Sequence, residues 1–168
     1  CSEARDAMQR REFSKAEALL KQCIVANPTL LGPVLDLCGV YQAQGKREDL
    51  ARTALEGIKR FPDERRFYLT AGSHAGRNSQ YEQAIEVFGE AHRRWPQDLQ
   101  FKDGLASAHL YYGMEQLDKG RNEEAEQHLR KTVALAEQDV DARMNLGRAL
   151  HNLNRSVEAE AEFDRVIA

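Results

Sequence analysis

The 168-residue chain has little cysteine, little proline and a single tryptophan, with 3, 4 and 1 copies respectively. Cys1, Cys23 and Cys38 are too few and too irregularly spaced for a disulfide framework. They form no CxxC or Cys/His pattern at metal-ligand spacing, so neither a metal nor a cofactor is expected. No apolar run approaches the roughly 18 residues needed to cross a bilayer, so no transmembrane segment is expected within these residues. Charge of neither sign dominates. Lys and Arg number 24 against 27 Asp and Glu, a net charge of −3, which argues against a surface built to hold nucleic-acid phosphates. Arginines do stand beside aromatics in Ala91-His92-Arg93-Arg94-Trp95 and Asp63-Glu64-Arg65-Arg66-Phe67, but they fall at helix ends among acidic residues and read as solvated faces. The HExxH, GxSxG, Walker and GxGxxG patterns are absent. The five histidines, His74, His92, His109, His128 and His151, lie in five separate helical stretches with no partner at a recognisable spacing, so no catalytic residue is assigned and an enzyme is not expected.

What the chain does have is a period. Prolines stand at 28, 62 and 96, 34 residues apart twice. Ahead of each comes a similar helical phrase, and Ala16, Leu50, Ala84, Ala125 and Ala159 occupy equivalent places at steps of 34, 34, 41 and 34. Four residues on stand Leu20, Ala54, Phe88, Leu129 and Phe163, and three further Cys23, Gly57, Ala91, Thr132 and Val166, one helix face in each phrase. A second helical pattern alternates with the first, as Val34, Leu37, Cys38 and Tyr41, then Tyr68, Ala71, Gly72 and Ala75, then Arg143, Leu146, Gly147 and Leu150. Gly or Asn in the breaks Gln44-Gly45-Lys46, Gly76 to Ser79, Lys119 to Asn122 and Asn152 to Asn154 suits a left-handed helix terminus. The pattern predicts helices over 2–11, 14–26, 30–43, 47–60, 64–77, 81–94, 98–118, 122–136, 139–152 and 156–167.

A 34-residue helix-turn-helix unit with a Leu-Gly-x-x-Tyr-like first helix, an Ala-x-x-x-Phe second helix and a closing proline resembles the tetratricopeptide repeat family. Leu146-Gly147-Arg148-Ala149-Leu150 with Ala159 to Phe163, and Ala84 to Phe88 with Ala91 and Pro96, carry the resemblance best. The units fall at about 1–29, 30–63, 64–97, 98–138 and 139–168, a single array of about five repeats with the first truncated. No unit has the opening tryptophan, and Glu137 replaces the closing proline of the fourth. The 41-residue step exceeds the repeat by 7, close to two helical turns, so the first helix of the fourth unit is expected to lengthen to about 21 residues. The resemblance implies an all-α, right-handed superhelical solenoid of stacked antiparallel helix pairs.

It also implies that the first helices line a concave groove. Leu35, Leu69, Leu110, Met114 and Met144 then form an apolar track, with Ser73, Arg66, Arg77 and Arg148 beside it and Gln42 and Tyr111 nearby. Such a track suits a peptide or partner protein with apolar anchors and some acidic residues. His109 and His151 are expected toward the same face. The Lys/Asn carboxylate clamp that some members use for chaperone tails is absent, since Cys1 and Arg5, Asp36, and Arg66 with Thr70 stand in its places. The functional expectation is a non-catalytic protein-interaction module. Its rivals are the recruiting arm of a larger enzyme, and a segment that self-associates through an apolar edge at Phe163, Val166 and Ile167. Cys1 fits either a fragment of a longer bacterial chain, the favoured reading, or a lipid-anchored periplasmic N-terminus, which leaves cytoplasm and periplasm both open. Cys23 and Cys38 are expected near one another as reduced, small buried residues.

Overall fold

The computed structural model describes residues 1–167, and among them the chain is entirely helical. Ten helices follow in order: α1 (Ser2–Gln9), α2 (Phe13–Ala26), α3 (Leu31–Gln44), α4 (Arg47–Arg60), α5 (Arg65–Arg77), α6 (Tyr81–Arg94), α7 (Leu99–Asp118), α8 (Asn122–Leu135), α9 (Val140–Asn152) and α10 (Ser156–Ile167). Each coincides with one of the ten expected from the period, within two residues at either end.

Two kinds of turn alternate, and each repeats its backbone chemistry. The turn inside a pair places one residue in the left-handed region, with φ of 60° at Arg11, 70° at Gly45, 58° at Ser79, 74° at Gly120 and 61° at Asn154. These positions step along the chain by 34, 34, 41 and 34. The next residue's N–H then donates to a carbonyl five residues back, as in Lys46 to Tyr41 and Arg121 to Gln116, each at 2.9 Å, closing a Schellman motif. Gly45 and Gly120 adopt this conformation without the steric penalty that Arg11, Ser79 and Asn154 carry. In the break from Gly76 to Ser79 the left-handed residue is Ser79, not the glycine or asparagine that composition favoured.

The turn between pairs opens on a residue outside the helical region, with φ and ψ of −137° and 73° at Asn27, −135° and 68° at Phe61, and −127° and 71° at Trp95. A following proline disfavours helical backbone at these positions. Ala136 has the same shape, −136° and 78°, although Glu137 follows it. The hydrogen bonds of this turn therefore suffice to shape it without the ring.

The helices divide into two compact units, Cys1–His74 and the residues from Ala75 on. Within each, successive helices pack in chain order, α1 on α2, α2 on α3 and α3 on α4 in the first, then α6 through α10 in the second. The first core contains Ala4, Ala7, Ala16, Leu20, Leu37, Val40 and Tyr41. The second gathers Leu110, Leu117, Ala125, Leu129, Ala142, Leu146, Ala149, Leu150 and Ala159, with Met114, Val133 and Phe163 packed against it. Small residues set how close the helices come: a Cβ at Gly57 would stand 2.7 Å from the Phe67 ring, and one at Gly113 2.8 Å from Leu129.

Cys1 is disulfide-bonded to Cys23, and Cys38 is the free thiol among the described residues. This corrects the expected reduced pairing of Cys23 with Cys38. The repeat register shows which residues share a small-residue position. It does not show that α1 runs back along α2, which brings Cys1 to a Cα separation of 5.8 Å from Cys23, within bridging range.

Candidate functional site

The nine expected groove residues fall into two groups, one in each unit. In the first, Leu35, Arg66 and Leu69 meet around one cleft. α3 contributes Leu35, Cys38, Gly39 and Gln42, α4 contributes Leu50, and α5 contributes Arg66, Phe67, Leu69 and Thr70, enclosing about 390 Å³. The spacing of Leu35, Cys38, Gly39 and Gln42 keeps them on one side of α3, one turn apart. Leu35 and Leu69 are half-buried, so their apolar surface is only partly used by the fold. Cys38 is pushed up to about 11 because burial disfavours its thiolate, which makes it an apolar liner and a poor nucleophile.

Arg66 stands exposed beside this cleft. It donates from Nε and a terminal nitrogen to the two oxygens of Glu64 at 2.8 and 3.0 Å. Its guanidinium is thereby oriented, and Glu64 is held below the usual carboxylate range by that contact. Ser73 is half-buried further along α5. Leu50, Phe67 and Thr70 line the cleft without having been singled out in the sequence. A signal for Phe67 was present, since it lies 34 residues before Phe101 and both are fully buried.

In the second unit the expected track breaks up. Leu110 is 8% exposed and belongs to the core, which leaves little of it open to a partner. Met114 packs against the same core. Met144 is 41% exposed, Arg148 is exposed and donates to the Asn145 side chain at 3.0 Å, and Arg77 is exposed at the end of α5. His109, expected near the inner face, is instead buried against His128, while His151 is exposed.

α7 spans 20 residues, close to the expected length, and divides that length between two neighbours. Its first half lies along α6, with the Phe101 ring 5.3 Å from Trp95 and Gly104 against Phe88. Its second half lies along α8, with Gly113 against Leu129. Where α7 runs past the start of α6 a polar cleft of about 520 Å³ opens, lined by Tyr81, Glu82, Gln83, Tyr112, Glu115, Gln116 and their neighbours. Its charges are largely matched internally, by Lys119 on Glu115, Arg121 on Gln116 and Tyr112 on Glu82.

A third cleft, about 380 Å³, lies over α3 between α2 and α4. The cations around it are also engaged, Lys21 with Glu17, Arg52 with Asp49, and Arg60 with the Pro28 carbonyl. The apolar edge expected on α10 is only partly present. Phe163 packs into the core, Val166 is half-buried and Ile167 is 83% exposed. No group of three or more metal-binding side chains occurs among the described residues, and none of the described helices is long and apolar enough to cross a membrane.

Tandem helical hairpins, stacked in order and joined by two alternating turn types, define a helix-pair repeat protein. Residues 113–168 match the tetratricopeptide repeat family, and the same turn register runs through the preceding pairs. Solved structures of MamA share the fold. The crystal structure of MamA protein is 18% identical, with 98% of this chain and 86% of that one covered and a TM-score of 0.54. MamA AMB-1 is 16% identical over 98% and 86%, with a TM-score of 0.59. MamA from Desulfovibrio magneticus RS-1 is 16% identical over 99% and 90%, with a TM-score of 0.52. At these identities the likeness is one of fold. No curated protein matches the chain in sequence.

Proposed function

We propose that the chain is a non-catalytic protein-interaction module whose first unit holds an extended peptide in the cleft between α3 and α5. The observation that carries this reading is the convergence of Leu35, Leu69 and Arg66 on one open cleft with an apolar floor. Apolar anchors in such a pocket supply most of the binding energy, and a rim cation selects an acidic neighbour. Arg66 already shares its guanidinium with Glu64, so a ligand carboxylate adds to an occupied pair and gains less than it would from a free arginine. The peptide sought is therefore one with two apolar anchors and a single acidic residue, bound mainly through the anchors.

Selection from a displayed random-peptide library on the full chain tests this. Affinity is then compared for the wild type, Leu69→Ala and Arg66→Ala, after circular dichroism shows that helicity is kept. The selected peptides are expected to lose at least tenfold in affinity with Leu69→Ala and a few-fold with Arg66→Ala. Peptides that bind all three proteins equally contradict the assignment.

A further inference from the structure

α7 and α8 bring together a buried and a half-buried histidine that the peptide cleft does not use. His109 on α7 and His128 on α8 face one another with their Nδ1 atoms 2.9 Å apart and ring centroids at 5.1 Å. His109 is 5% exposed. A hydrogen bond between two imidazole Nδ1 atoms needs one donor and one acceptor, so one ring carries its hydrogen on Nδ1 and the other on Nε2. A first added proton is accommodated, because the charged ring still donates from Nδ1 to its neutral partner. A second proton is not, because both Nδ1 atoms then donate and two cations face each other in a site from which water is largely excluded.

The groups around the pair come from three helices. Tyr112 of α7 sets its ring edge-on to His128, with centroids 4.6 Å apart. Its hydroxyl donates to Glu82 of α6 at 2.6 Å and lies 3.3 Å from Glu124 of α8. Lys131 of α8 opposes protonation of both rings, while Glu124 and Glu82 favour it only at His128. From α9, which packs on both α7 and α8, no charged group acts on either ring.

We propose that the His109–His128 pair is an acid-sensitive latch within the second unit, holding α7 on α8 while it carries at most one proton and releasing the hairpin when it takes a second. Burial is the largest influence on both rings and pulls both below the ordinary histidine range, His109 to about 4. Rings freed by opening titrate near 6.5. The open form therefore binds more protons than the closed one between those values. The closed hairpin holds fully above about pH 6.5 and weakens as the pH falls toward about 4, by up to about tenfold in its equilibrium constant per pH unit for each excess proton.

Imidazole nitrogen and carbon shifts of the full chain, followed from pH 7.5 to 4, test the latch, with His74, His92 and His151 read alongside. Amide exchange in α7 and α8 is compared with that in α9 and α10 at pH 7 and pH 5, corrected for intrinsic rates. The latch predicts two separate midpoints below 6.5, His109 the lower, and a loss of protection at pH 5 of about tenfold or more concentrated in α7 and α8. In His128→Gln the amide oxygen still accepts from His109 Nδ1 but cannot take a proton, and the acid loss should shrink to that of the one remaining buried imidazole, at least several-fold below the wild type. Two histidines titrating together near 6.5 with unchanged protection overturn the proposal, as does an acid loss in His128→Gln equal to the wild type. If His128→Gln does not fold, the wild-type titration and exchange decide the matter alone.

Discussion

The α3–α4 hairpin of the first unit and the α7–α8 hairpin of the second share one plan. Both close on a glycine in the left-handed region, Gly45 and Gly120, and both pair the first helix with a 14-residue second helix. They differ in the first helix, 14 residues in α3 and 20 in α7. The repeat register places an added heptad within α7. Seven residues turn a helix by about 700°, within 20° of two full turns, so the apolar stripe leaves and re-enters register without a kink. The comparison teaches that this fold accepts an added heptad, because the first half of the lengthened helix keeps its register with α6 and the second half with α8. In the first unit the inner side of α3 stays open and apolar. In the second, Leu110 at the position of Leu35 is closed into the core, and the polar His109 and Gln116 are interior as well.

The sharpest way to break that comparison is to change the length of α7. Deleting residues 106–112 restores the 34-residue step and joins the part of α7 that meets α6 directly to the part that meets α8. It should leave a cooperative thermal transition for the second unit. Deleting 106–110 rotates the second half of α7 by about 140° and should abolish that transition, as differential scanning calorimetry will show.

A smaller difference is expected between the ion pairs of the two units. Arg143 donates to Glu162 at 2.9 Å, with side-chain exposures of only 14% and 9%. Glu162→Ala strands a nearly buried cation and should cost about 3 kcal/mol in chemical denaturation. Glu17 bridges Lys21 and Lys46 at 2.7 Å each, but those lysines are 56% and 42% exposed, and Glu17→Ala should cost less than about 1 kcal/mol.

The two units should also separate on acidification. Hydrogen bonds from Lys21 and then Lys46 hold the Glu17 carboxyl down to about 2. Its contribution is complete above the ordinary carboxylate pKa of about 4.5 and is lost only as the pH falls through about 2. The histidine pair weakens the second unit already below about 6.5. Amide exchange at pH 5 should therefore find α7 and α8 loosened and α2 and α3 intact.

The smallest effects belong to the turns. Gly45→Ala places a side chain at φ 70° and should cost about 1 kcal/mol. Glu137→Pro enters a turn whose preceding residue already has the pre-proline backbone, and should raise stability by about 0.5–1 kcal/mol. Thermal melts check both.

The period made all ten helices legible, because a residue that recurs every 34 positions on one helix face fixes both the element and its neighbours. The length of α7 was legible for the same reason, since the 41-residue step is itself a departure from that period. What escaped was anything decided by which of two neighbours a face meets. Leu110 is closed into the core although Leu35 and Leu69 at the same register position are half-buried, and His109 is paired with His128, and no spacing within α7 states either. Cys1 escaped likewise, since its partner depends on the return of α1 along α2. The cleft was half legible: Leu35, Arg66 and Leu69 follow from the first-helix register, whereas Leu50, Phe67 and Thr70 line it through tertiary packing.

The account rests most on the claim that the α3–α5 cleft is where a partner binds. The direct test is an amide and methyl shift map of the full chain titrated with a library-selected peptide carrying two apolar anchors and one acidic residue. The account predicts the largest shifts at Leu35, Cys38, Gln42, Leu69 and Thr70, saturating together. Shifts confined to the second unit, at Met144 and Arg148, would contradict it.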